Sequence, residues 1–74
     1  MDRVPLQSVV RSLTPLWGGT KLQRRDLVRV PVGSLGIVRD RVVDDHGVES
    51  LLVKFALRFG SAWVRCAPGC VEVQ

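Results

Sequence analysis

The chain has no tyrosine, a single histidine and only two cysteines in 74 residues. Each scarcity removes a class of function. Two cysteines do not make the disulfide framework of a small secreted domain. A zinc site needs three or four ligands, so Cys66, Cys70 and His46 could at most supply half of one that a second copy completes. His46 sits in the turn Asp44-Asp45-His46-Gly47 with no nucleophile or oxyanion donor near it in sequence, so no catalytic residue is assigned. Gly33-x-x-Gly36 precedes a strand and not a helix, which excludes the phosphate-binding glycine motifs, and no cofactor is expected. No apolar run approaches the roughly 20 residues of a membrane span. The first residues also lack the apolar core of a secretory signal, so the expected compartment is the cytoplasm.

What is present is a basic, moderately apolar chain. Eleven Lys and Arg against seven Asp and Glu leave a formal charge of +4, and most of the cations are Arg. Arg suits planar recognition of carboxylate and phosphate, so the balance favours an anionic partner, whether protein or nucleic acid. A chain this short makes one domain with little core to spare. Self-association or docking onto something larger is therefore expected.

Residues 1–20 read differently from residues 21–74. Leu6, Val9, Val10 and Leu13 follow the i, i+3, i+4, i+7 spacing of a short helix over residues 5–13. Val9-Val10 also suits an added edge strand. Either element is too short to persist alone and must dock, with Leu6, Val10, Leu13 and Trp17 as its docking side chains. Gly18-Gly19 reads as a flexible joint to the second segment.

From residue 21 the pattern predicts five short strands. The first covers Leu27 to Pro31, with Val28 and Val30 inward. The second runs from Leu35 to Val43 and is bulged, because one pleat phase cannot bury Ile37, Val38, Val42 and Val43 together. The Asp44 to Gly47 turn closes a hairpin to a third strand, Glu49 to Phe55, with Leu51, Val53 and Phe55 on one face. Ser61 to Cys66 is the fourth strand, and after Ala67-Pro68-Gly69 the stretch Val71 to Val73 closes the set. Short strands punctuated by Pro and Gly indicate an all-β domain.

Asp26-Leu27-Val28-Arg29-Val30 followed by Gly33-x-x-Gly36-x-Val38 resembles the opening of SH3-like barrels, including KOW and Tudor-like modules. Leu52-Val53-Lys54-Phe55 and Trp63-Val64 through Val71-Glu72-Val73 look like their later strands. The resemblance implies a five-stranded SH3-like barrel carrying the N-terminal helix or extra strand. Gly33 to Asp40, with Leu52-Val53-Lys54-Phe55 and Val64-Arg65-Cys66, also looks like the NifZ-type nitrogenase-maturation accessory proteins, which implies an accessory role. Among SH3-like relatives, the plasmid-borne dihydrofolate reductase carries Val-Gln-Ile-Tyr where this chain has Ala62-Trp63-Val64-Arg65. That oligomeric enzyme stands as the third reading.

Trp63 and Arg65 should share a face with Leu52 and Lys54 if strands three and four pair. An aromatic among cations suits a protein hot spot, or base stacking with phosphate contacts helped by Arg29. The competing reading buries Trp63 under the N-terminal segment. Arg24, Arg25, Arg29, Arg39 and Arg41 form a second basic group, diluted by Asp26, Asp40, Asp44 and Asp45 into a charge-mixed surface. Cys66 and Cys70 fit small core positions, a disulfide over the Pro-Gly turn, or the half metal site. The expected function is a non-catalytic accessory barrel docking onto a larger protein or complex. An RNA- or DNA-binding KOW or Tudor-like barrel is the alternative.

Overall fold

The computed structural model describes residues 3–20, 27–58 and 60–74. Seven strands fill them in chain order: β1 (Val9–Ser12), β2 (Leu16–Gly18), β3 (Val28–Val30), β4 (Leu35–Val43), β5 (Glu49–Leu57), β6 (Gly60–Cys66) and β7 (Val71–Val73). A 3-10 turn at Pro68–Cys70 precedes β7. All pairing is antiparallel: one sheet runs β6-β5-β4-β1-β7, and a second holds β2-β3.

Two expectations change. The strands number seven and not five, and among the described residues they do not close into a barrel. β2 reaches β6 only through the bridge between Gly19 and Trp63, and the three-residue β3 and β7 remain as edges. Residues 9–12 are strand, which settles the two readings of the first segment. The turn before them has Gln7 at φ 66°, outside the helical region. A nine-residue helix would hold few hydrogen bonds of its own. As a strand the same residues pair on both sides, Val9 with Ile37 and Val10 with Val73. Residues 9–18 thus contribute β1 and β2 to the two sheets.

Alternation puts Val10 and Ser12 inward and Val9 and Arg11 outward. The core comprises Val10, Val30, Val38, Leu51, Val53, Phe55, Ala62 and Val64, with Cys66 and Val71 at its margin. Gly36 lies over it because a Cβ there would stand 2.8 Å from both Phe55 Cδ1 and Val53 Cγ1. The bulge expected in β4 is present: Val38 faces Val53, Asp40 faces Leu52, and Arg39 is the extra residue. It does not bury all four aliphatic residues, since Val38 enters the core while Ile37, Val42 and Val43 are exposed.

The β4–β5 hairpin turns as predicted. Asp44 Oδ1 accepts hydrogen bonds from the backbone N–H of His46 (2.8 Å) and Val48 (2.9 Å). Gly47 takes φ 79°, which its lack of a Cβ allows. At the base of the hairpin Arg41 Nε stands 2.5 Å from Glu49 Oε1, a Coulombic contact without hydrogen-bond direction. A second guanidinium nitrogen of Arg41 donates to the Val4 carbonyl and ties down the chain before β1. No helix among the described residues is long and apolar enough to cross a membrane.

Candidate functional site

The outer face of the larger sheet carries the candidate site, and register builds it. Val9 pairs with Ile37, Ile37 with Lys54, and Lys54 with Trp63, so four strands contribute one row of outward side chains. Leu35 and Ala56 extend the patch on one side of this row, and Asp40, Leu52 and Arg65 form the row on the other. Outward positions of an antiparallel sheet that faces its core on one side are ordinarily polar. Here Val9, Leu35 and Ile37 are 45%, 43% and 41% exposed. They line, with Gly36, Arg39, Lys54, Phe55, Ala56 and Ser61, an open groove of about 390 Å³.

Trp63 stands beyond the groove lining, beside Lys54 at the β6 end of the row. It is half-buried, and residues 3–17 do not bury it as ordinary core. Lys54 Nζ lies 5.3 Å and the Arg39 guanidinium 5.8 Å from its ring centroid, both within cation–π range. The two cations are thereby held beside the groove while their polar ends stay in water. The Trp63 backbone is fixed as well: its N–H donates to the Gly19 carbonyl at 2.8 Å, and its carbonyl accepts from Gly19 N–H at 3.0 Å. Gly18-Gly19 is therefore a docking point between the sheets and not a flexible joint. A Cβ on Gly18 would lie 2.3 Å from the Trp63 carbonyl oxygen.

The sequence-predicted residues divide. Lys54 faces Trp63 and Leu52 faces Arg65, the expected cross-strand pairs. Leu52, although it shares the outward row, is only 9% exposed, while Arg65 stands in solvent. Arg29 lies in the other sheet opposite Trp17 and lines a second cavity of about 330 Å³ with Pro31, Ser34, Ala56, Leu57 and Arg58. Of the four N-terminal docking residues, Val10 enters the core, whereas Leu6, Leu13 and Trp17 are exposed. They do not form the single face that a helix would have given them, because strand pairing sends neighbours to opposite sides. Arg24, Arg25 and Asp26 of the second basic group fall outside the described residues.

Cys66 and Cys70 are free thiols, the first buried and the second half-buried against the core. Burial pushes the Cys66 thiol up from 9.0 to about 11, and the neighbouring Cys70 adds to the shift. At neutral pH Cys66 is protonated and apolar, as a core-filling residue should be. Among the described residues no three His, Cys, Asp or Glu side chains come together as a metal site.

Val9, Leu35 and Ile37 are the functional candidates missed in the sequence, where Ile37 counts as core. The signal was Gly36. If that glycine faces a neighbouring strand closely, its flanking residues must point away from the core. No family model, curated protein or solved structure matches this chain.

Proposed function

We propose that this chain is a non-catalytic accessory module of SH3-like character that docks onto a larger protein or protein complex. The docking surface is the groove on the outer face of β1, β4, β5 and β6. One observation carries this reading: the exposed aliphatic strip Val9, Leu35 and Ile37, bordered by Trp63, Lys54 and Arg39. An aromatic anchor beside aliphatic side chains with a charged rim is the anatomy of a protein hot spot. Contiguous exposed apolar surface on a small domain marks an interaction site.

Nucleic acid fits the same surface less well. Single strands stack bases on exposed aromatic rings along a cationic groove. Here two cations already lie over the Trp63 ring, and the floor of the groove is aliphatic. The test places a photo-crosslinking amino acid at Ile37 and irradiates cells. The expected product is one discrete protein adduct that persists at high salt and disappears when Trp63→Ala is added. A self-adduct alone would replace the larger partner with a second copy. Crosslinks to RNA that vanish between low and physiological salt would overturn the reading, because that loss is the signature of phosphate contacts.

A further inference from the structure

The second cavity adjoins the groove and has a different chemistry. Ala56 lines both, and Ser34 of the second precedes Leu35 of the first. Two of its six lining residues are arginines, Arg29 from β3 and Arg58 from the turn after β5, and both are exposed. The described residues supply no carboxylate to its lining. Pro31, Ala56 and Leu57 make most of the remaining wall apolar, with Ser34 its one uncharged polar side chain.

One wall is rigid. Ser34 returns to the Pro31 carbonyl through its N–H (3.2 Å) and its hydroxyl (2.7 Å), across Gly33 at φ 88°. Ser12 N–H donates to the Ser34 carbonyl at 2.9 Å and Gly33 N–H to the Ser12 carbonyl at 2.8 Å, so the turn is clamped to β1. A site held this way gives up little freedom when it binds.

We infer that the Arg29–Arg58 cavity is an anion site that takes a carboxylate of the docked partner. The inference rests on the docking reading above and names the partner's chemistry: an extended segment with apolar residues in the groove and an acidic side chain beyond them. Guanidinium forks match planar carboxylates, and two of them line one cavity to which the described residues bring no acid, so a partner's carboxylate complements their charge.

The experiment follows backbone amide and arginine Nε–H NMR signals of the full chain at low ionic strength. Three probes are titrated: the blocked peptide Leu-Ile-Asp-Glu, its amide counterpart Leu-Ile-Asn-Gln, and inorganic phosphate. The acidic peptide is expected to shift Leu35 and Ile37 together with Ser34, Leu57 and Arg58, and to bind at least tenfold more tightly than the amide peptide. Phosphate alone should shift the Arg29 and Arg58 Nε–H signals. Arg29→Gln combined with Arg58→Gln should abolish the tenfold preference and leave the groove shifts in place. Equal binding of the two peptides, or an undiminished preference in the double variant, would overturn the carboxylate site while the groove shifts keep the docking reading intact. Shifts confined to the cavity would keep the anion site and remove the docking reading. If a single-stranded octauridylate moves the cavity signals at lower concentration than the acidic peptide does, the anion is a phosphate and the carboxylate assignment falls.

Discussion

Replacing Gly18 by alanine should damage this protein far more than the same substitution at Gly69. The Cβ would stand 2.3 Å from the Trp63 carbonyl oxygen, 2.6 Å from Val64 Cγ2 and 2.9 Å from the Trp63 carbonyl carbon. Two of these atoms are backbone and cannot rotate away. Relief requires β2 to withdraw from β6, which breaks both hydrogen bonds between Gly19 and Trp63. Overpacking of this kind costs about 1–3 kcal/mol. Each lost hydrogen bond adds roughly 0.5–1.5 kcal/mol. A net loss of about 2–6 kcal/mol follows, against a total of roughly 4–11 kcal/mol for a domain of this length. In urea the midpoint should fall by at least about 1 M. Gly69→Ala is the control: nothing lies within 4 Å of its Cβ, and its φ is not positive. It should change stability by less than about 0.5 kcal/mol. Amide exchange gives the second readout, since the Trp63 N–H loses its acceptor in Gly18→Ala. The reasoning is refuted if Gly18→Ala unfolds at the same urea concentration as Gly69→Ala. It is equally refuted if the Trp63 amide keeps its protection.

The two thiols should separate in alkylation. At pH 8 Cys70 should react with iodoacetamide well before Cys66, as followed by mass spectrometry of the intact and digested chain. The raised Cys66 value also sets a pH window. The unfolded chain loses this proton near pH 9 and the folded chain near 11, so the stability held below pH 9 is lost as pH rises through that interval, in urea titrations at stepped pH. Phe55→Ala, which empties the largest fully buried position, should cost about 3–5 kcal/mol and leave little folded protein at 37 °C by circular dichroism.

The middle and end of the fold were legible because period-two alternation and turn chemistry agreed. Leu51, Val53 and Phe55 share the core face as their spacing requires, and Asp44 with Gly47 closes the hairpin that joins their strand to β4. The β4 bulge was readable from the clash of Ile37-Val38 with Val42-Val43. Its outcome was not, because a bulge can also leave such residues exposed, and here it does. Leu6, Val9, Val10 and Leu13 satisfy a helical period while Val9-Val10 satisfies a strand. The choice belonged to β4 and β7, whose partners lie far away in sequence. Gly18-Gly19 looked like a hinge for a related reason. Two glycines permit flexibility, but they equally permit backbone contact, and only the position of Trp63 distinguishes the two. The pairing of Lys54 with Trp63 needed nothing beyond antiparallel register. The groove beneath them needed the facing of Gly36.

The composition of the outer face argues that its apolar strip is not a by-product of a small core. A chain of 74 residues that needed every aliphatic side chain for burial would turn Val9, Leu35 and Ile37 inward. Each instead occupies the outward phase of a strand whose inward phase is already filled by Val10, Gly36 or Val38. On β6 the outward positions are Ser61, Trp63 and Arg65, and on β5 Lys54 shares the row with Ile37. The exposed large aliphatics of the groove thus lie on β1 and the start of β4, with Ala56 of β5 beside them and Arg39 and Lys54 at their border. Scattered exposed aliphatics would need no explanation, but three in adjacent rows beside a cation-flanked tryptophan make a surface with a boundary. Under the docking proposal, that boundary is what a partner would read. It also makes Ile37→Lys a direct way to blind the surface, because that side chain is 41% exposed, occupies the outward phase of β4 and leaves the core filled.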